Sequence, residues 1–307
     1  MQLLLAIVCA GAGVWFLVGG IASFVAPSDA VPSSATNVVF GGVLLLAARV
    51  LWRRGRRTNH ALSFVLLPQA GLPSAEEFQR AWNELTNGAV PPRVDSWGSE
   101  TIHLQLEGGT VSVGLLPTPI PGREAERAAS QSACAFAVGG YVLAPHAAHL
   151  VVFSGWSMPN VVACRLHHTR VVAALAKAAG AVAVYEGAAG ATHDAGFYLE
   201  VVRNDGLPVE LWTGVRLSVM GASLEFLTLG LEALQLPELL VSAPANQCED
   251  ALSFLFVVAG YLAHRGEAVA AGETVGRSAT EKYVVDHVPS PLDPARRVMR
   301  VDMARKA

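Results

Sequence analysis

Residues 58–307 read as an α+β body, with helices packed on one face of mostly antiparallel sheet. Three observations predict it. In 101–106, Ile102, Leu104 and Leu106 alternate with His103 and Gln105, the period of a half-buried strand. Phe78, Trp82 and Leu85 recur at helical spacing instead. The order strand–helix–strand–strand, then strand–helix–strand, then hairpin–helix suits layered α+β rather than a parallel sheet. Two ferredoxin-like halves are the first reading of that order. The Pro- and Ala-rich stretch near 117–145 marks a sub-boundary between them.

The elements follow in turn. Residues 61–67 form an apolar run that ends at Pro68, a strand. Ser74 opens a helix as N-cap, with Glu77 three residues on completing a capping box, and Asn87-Gly88 closes it. The strand at 101–106 turns at Gly108-Gly109 into 110–116, a hairpin. Pro117-Thr118-Pro119-Ile120-Pro121 then holds the chain stiff and extended. Residues 149–153 form a buried strand, and 161–179 a helix stopped by Gly180. The almost wholly apolar run 181–185 is a central strand. A glycine-rich loop at 187–196, a short helical or extended stretch to Arg203, and a turn at Asn204-Asp205-Gly206 come next. Strands at 209–219 and 224–229 pair across Gly221. Residues 249–263 make a strongly apolar helix, too short to be read as a membrane span. Short strand and loop complete the tail.

The first 57 residues are different. Residues 3–25 contain no charge and span about 35 Å as a helix, enough for a hydrocarbon core of about 30 Å. Pro27, Asp29 and Pro32 then break the chain, and a second apolar segment covers 37–52. Arg49 sits near its end and Arg53, Arg54, Arg56 and Arg57 follow, with no Lys or Arg before them. The positive-inside rule places that end in the cytoplasm. The expectation is a two-helix transmembrane hairpin in the cell inner membrane, contacting lipid through 3–52, with residues 58–307 cytoplasmic. Gly11, Gly13, Gly19 and Gly20 allow its helices to approach closely. The alternative is a cleavable signal peptide, but the segment has no basic leader and a longer apolar stretch than such peptides carry.

Charge bounds the partners. Residues 1–57 hold five Arg and one Asp, which leaves 17 basic against 24 acidic residues, a net of −7 on the body. Such a surface argues against nucleic acid. Cys9, Cys134, Cys164 and Cys248 are scattered, with no CxxC pair or zinc spacing. Buried thiols in a reducing compartment fit that pattern.

A set of landmarks carries a resemblance. Leu116-Pro117-Thr118-Pro119-Ile120-Pro121, His146-Ala147-Ala148-His149-Leu150 and Ala183-Val184-Tyr185 follow one another. After them come Thr228-Leu229-Gly230-Leu231 with Pro237-Glu238, then Gly272-Glu273-Thr274-Val275-Gly276-Arg277, then His287-Val288-Pro289-Ser290. In order and spacing these resemble the bacterial family known as domain of unknown function 4261, over roughly 61–303. Glu186 departs from it, standing where the family usually has an aromatic. The resemblance implies one extended α+β unit and supplies no catalytic residue.

Candidate chemistry is sparse. His146 and His149 could share a metal on a helix but diverge on a strand. His167-His168 adds two more imidazoles, and Glu186 or His193-Asp194 could complete such a site. Against this stands a reading in which His149 is a hydrogen-bonded, half-buried histidine and the others are surface. The loop 187–192 lacks phosphate-binding spacing and a lysine, so it reads as a turn. Ser154-Gly155-Trp156-Ser157 lacks the nucleophile-elbow order. Trp97, Trp156 and Trp212 are core or rim residues before they are binding anchors. The expectation is a membrane-tethered, non-enzymatic protein that binds a protein partner, in a defence, immunity or envelope setting, with no cofactor. The alternative is a metal-dependent or other hydrolase built on His146, His149 and Glu186.

Overall fold

The computed structural model describes residues 60–306, apart from 138 and 205. The hairpin expected at 3–52 and its arginines lie outside the described residues. Among the described residues no helix is long and apolar enough to cross a membrane.

The chain builds two sheets. The first opens with β1 (His60–Leu67), followed by α1 (Ala75–Leu85). The Ser74 capping box forms as expected: Ser74 Oγ accepts from the Glu77 N–H and Glu77 Oε2 accepts from the Ser74 N–H at 2.7 Å. Phe78, Ala81, Trp82 and Leu85 are its buried stripe. Next come β2 (Arg93–Trp97), β3 (Thr101–Leu106) and β4 (Gly109–Leu116). Two short helices, α2 (Glu124–Ala129) and α3 (Ala133–Ala137), lead into β5 (Ala148–Trp156), α4 (Val161–Ala178), β6 (Ala183–Glu186) and β7 (Ala191–Asp194). The sheet order is β2-β3-β4-β5-β1-β6-β7, and every neighbouring pair is antiparallel. Without β2, β3 and β7, the path is β-α-β-β-α-β with order β4-β5-β1-β6. In it, β5 and β6 are joined by α4 and split by β1, the ferredoxin-like arrangement.

After α5 (Ala195–Arg203) and α6 (Val209–Trp212), the second sheet contains β8 (Gly214–Met220), β9 (Ser223–Leu229) and β10 (Leu239–Pro244). Then come α7 (Cys248–Arg265), β11 (Thr274–Val275), β12 (Tyr283–Pro289) and β13 (Arg297–Lys306). Its order is β11-β12-β13-β10-β9-β8, with β10 and β13 parallel. This half corrects the expectation of two ferredoxin-like units. One helix, α7, makes the crossover, and a meander returns β13 alongside β10.

Three local readings also change. The stretch 209–219 is not one strand: Val209–Trp212 coils, which carries the Trp212 indole into the core, where Nε1 donates to Thr169 Oγ1 at 2.8 Å. The glycine-rich loop is the turn of the β6–β7 hairpin, and α5 begins only at Ala195 on an Asp194 cap. The tail holds the ten-residue β13, whose inner face is Met299, Val301 and Met303.

Strand register decides which residues meet. Ser63 stands opposite Val152 on one side and Glu186 on the other, so Ser63, Val65 and Leu67 share a face with Val152, Ser154, Val184 and Glu186. That face meets α4. Phe64, Leu66, His149, Val151 and Tyr185 lie on the reverse, beneath α2 and the 117–120 segment. One contiguous apolar core joins the helix face of the first sheet to the inner face of the second.

Candidate functional site

The densest polar chemistry is buried between α4 and the first sheet. Asn160 caps α4 by accepting from the Ala163 N–H, and this sets Arg165 and His168 one turn apart over the strands. Arg165 Nη2 donates to Glu186 Oε2 at 2.6 Å, and Ser63 Oγ donates to the same oxygen at 2.8 Å. Tyr198 OH, from α5, donates to Oε1 at 2.7 Å. Ser63 has one hydrogen, already given to Glu186, so its contact of 2.8 Å with His168 Nε2 requires an N–H there. His168 Nδ1 is then an acceptor, and Ser154 Oγ donates to it at 2.6 Å. Burial, and then the nearby Arg165 charge, hold the His168 pKa well below its usual value, so the ring is neutral. Burial and the Glu186 charge push Tyr198 up, which keeps its proton in place.

Ser154, His168, Ser63 and Glu186 thus form a string with the donor order of a general-base relay. Its surroundings do not allow that use. All four side chains have 0% exposure, and Arg165 has 3%. A cleft of about 560 Å³ beside Leu85, Leu166 and Val201 and one of about 580 Å³ beside Phe256 and Val257 are lined by other residues. The string is a clamp that ties α4 and α5 to three strands.

The candidate metal residues do not converge. Glu186 sits in this clamp. His193, opposite Val184 on β7, is on the same sheet face and packs against Phe197 and Tyr198 at ring separations of 6.0 and 6.3 Å. Burial lowers its pKa to about 4, against a smaller opposing effect of the Leu211 backbone. His149 is on the reverse face. Its Nδ1 donates to the Thr118 carbonyl at 2.7 Å, and burial brings its pKa to about 4. His146 lies in the loop before β5, where its Nε2 accepts from the Ile120 N–H at 3.2 Å. The sheet therefore separates Glu186 and His193 from His149. Among the described residues no group of three or more His, Cys, Asp or Glu side chains is placed to hold a metal ion. Trp156 and Trp212 are buried, and Trp97 donates to the Pro73 carbonyl.

A second carboxylate organises the other sheet. Glu238, at the start of β10, accepts from Thr228 Oγ1 at 2.6 Å and from the Gly230 and Glu232 N–H groups at 2.7 and 3.2 Å. Thr228 in turn accepts from the Leu239 N–H. Gly230 has φ 118°, and a Cβ there would stand 2.3 Å from the Trp212 carbonyl oxygen. The Thr-Leu-Gly-Leu and Pro-Glu landmarks are thus two sides of one staple between β9 and β10. The later landmarks are structural too. Arg277 is paired with Glu281 and Asp250, and His287 Nε2 donates to the Val269 carbonyl. Residues 227–302 match the family model Domain of unknown function (DUF4261). The DUF4261 match takes in the Glu238 staple, the α7 crossover and most of β13. The landmarks at 116–121, 146–150 and 183–185 lie outside the matched residues. No curated protein and no solved structure matches the chain.

Ser63, Arg165 and Tyr198 escaped the sequence reading. One signal pointed to them: Arg165 and His168 at helical spacing in a helix otherwise rich in Val and Ala.

Proposed function

We propose that this chain is a non-enzymatic binding protein that takes an extended segment of a partner protein onto the free edge of β8. The single observation that carries this reading is how the sheet edges differ. Unprotected edges invite another strand, and proteins normally blunt them. β2 has a bulge between Val94 and Ser96, with Arg93 and Asp95 paired along it. β7 is four residues long with Ala191, Thr192 and His193 fully buried, and β11 is two residues long. β8 has no bulge, and Arg216 is its one charged side chain. It contains no Pro or Lys, and Arg216 to Met220 are all exposed, with Val219 at 69%. The Val215 N–H points away from β9 to the Gln131 carbonyl, so by alternation those of Leu217 and Val219 also point outward. None of the described residues accepts them. Such an edge binds through main-chain hydrogen bonds, with alternate side chains giving selectivity.

A hydrolase centred on His146, His149 and Glu186 lacks comparable support, because the sheet divides that set. Tethering through residues 3–52, with the body in the cytoplasm, remains part of the proposal on the strength of the apolar segments and the arginine stop alone.

A photo-crosslinking residue in place of Leu217, in the full chain in cells, tests the reading. The expected adduct maps to one extended partner segment. It disappears with Val219→Pro, which removes an outward N–H without touching the β8–β9 ladder, and survives Val219→Thr. No adduct, or one indifferent to the proline, would sink the proposal.

A further inference from the structure

α7 is apolar on two sides. Ala251, Phe254, Leu255, Val258, Ala259, Leu262 and Ala263 are buried against the second sheet and its surroundings. The opposite stripe, Ser253, Phe256, Val257, Gly260 and Tyr261, borders the 580 Å³ cleft, with Val257 46% and Tyr261 49% exposed. A surface helix ordinarily turns polar residues outward.

Gly260 adds a second observation. Glycine inside a helix costs about 1 kcal/mol relative to alanine. Nothing within the described molecule requires it, since a Cβ there would meet only Val209, at 3.8 Å. A bare backbone on an exposed apolar stripe suits the close approach of another helix.

The charges identify that helix. Glu249 and Asp250 stand in the first turn of α7, His264 and Arg265 in the last. Glu249 and His264 lie on the same stripe as Ser253, Val257 and Gly260, separated by about 22 Å. We propose that α7 is a self-association surface, on which the stripe of one copy packs antiparallel against that of a second. A two-fold axis midway between Phe256 and Val257 sets Glu249 beside the partner's His264, Ser253 beside the partner's Gly260, and Val257 beside the partner's Phe256. Asp250 and Arg265 are held by Arg277 and Glu267, so Glu249 and the partner's His264 are the polar contact, made twice; the helix dipoles oppose, and the same patch serves both copies. A parallel pair would bring like charges together.

Analytical ultracentrifugation of the full chain in mild detergent tests this. The wild type is expected to be a dimer. Val257→Glu places two carboxylates at the axis and weakens it at least tenfold. Gly260→Leu blocks the approach while favouring the monomer's helix, so a loss of dimer with an unchanged or higher Tm separates the interface from folding. Glu249→Lys and His264→Glu each weaken self-association. Mixed, they restore it, because each introduced charge then faces its opposite. A wild type that stays monomeric at roughly 100 µM, or a dimer indifferent to all four substitutions, would overturn the proposal. The second result would place the contact elsewhere, on β8 or in residues 1–59.

Discussion

Arg165 and Glu186 form an ion pair with almost no contact with water, and its neighbours account for the arrangement. A buried pair is sustained when the remaining lone pairs are also satisfied, and Ser63 and Tyr198 do this for the carboxylate. Removing one partner leaves a charge stranded. Arg165→Met should therefore destabilise the fold by about 3–5 kcal/mol in urea titration. Adding Glu186→Gln should recover part of the loss; no recovery would mean that the charge of Glu186 is not what the arginine compensates. In the sequence Glu186 was visible as an oddity after Ala-Val-Tyr and as a candidate partner for His146 and His149, not as the centre of a buried clamp. The residues that satisfy it are separated from it by as many as 123 positions, too far for any local pattern to register.

Elements show the opposite balance. The Ser74 capping box, the β3–β4 hairpin and the extent of α4 were legible because cap chemistry, tight turns and periodicity are local. Ser74→Ala should cost about 1 kcal/mol, read as a lower urea midpoint with an unchanged slope. Of the elements missed or misassigned, β2, β7, α6 and β10 are short and β13 is long, and the form of each is set by packing. Val209–Trp212 has the composition of a strand, yet it coils because Trp212 has a partner at Thr169. For β8, the sequence showed a strand, but which of its edges stays open depends on the sheet order.

Across the whole molecule, the buried titratable groups predict a pH profile. Burial holds the pKa of His149 and His193 at about 4 in the folded protein, against an ordinary value of 6.5. Groups depressed in this way contribute stability that is present above 6.5 and is lost as pH falls through 4, roughly 3 kcal/mol each. Glu238 runs the other way. Burial raises it to about 7, outweighing the hydrogen bonds from Thr228, Gly230 and Glu232. Its contribution is full below 4.5 and is lost as pH rises through 7. Denaturant titrations should show falling stability from pH 6.5 to 4, with a smaller opposing slope between 4.5 and 7. His193→Phe should flatten the first and Glu238→Gln the second. An acid limb unchanged in His193→Phe would show that this ring is not neutral because of folding.

The sequence by itself determined the α+β class, the main helices and hairpins, the acidic body, and the Arg-rich stop after an uncharged segment. Each follows from composition, period or cap and turn chemistry, properties carried by residues close together in the chain. Tertiary structure alone decided that His149 and Glu186 sit on opposite faces of one sheet, that Ser63, Ser154, Arg165, His168 and Tyr198 gather with Glu186, and that β8 is an outer strand of the second sheet. Strand register and sheet order settle these points. Both depend on contacts between segments a hundred residues apart, where one shift in register exchanges one face for the other.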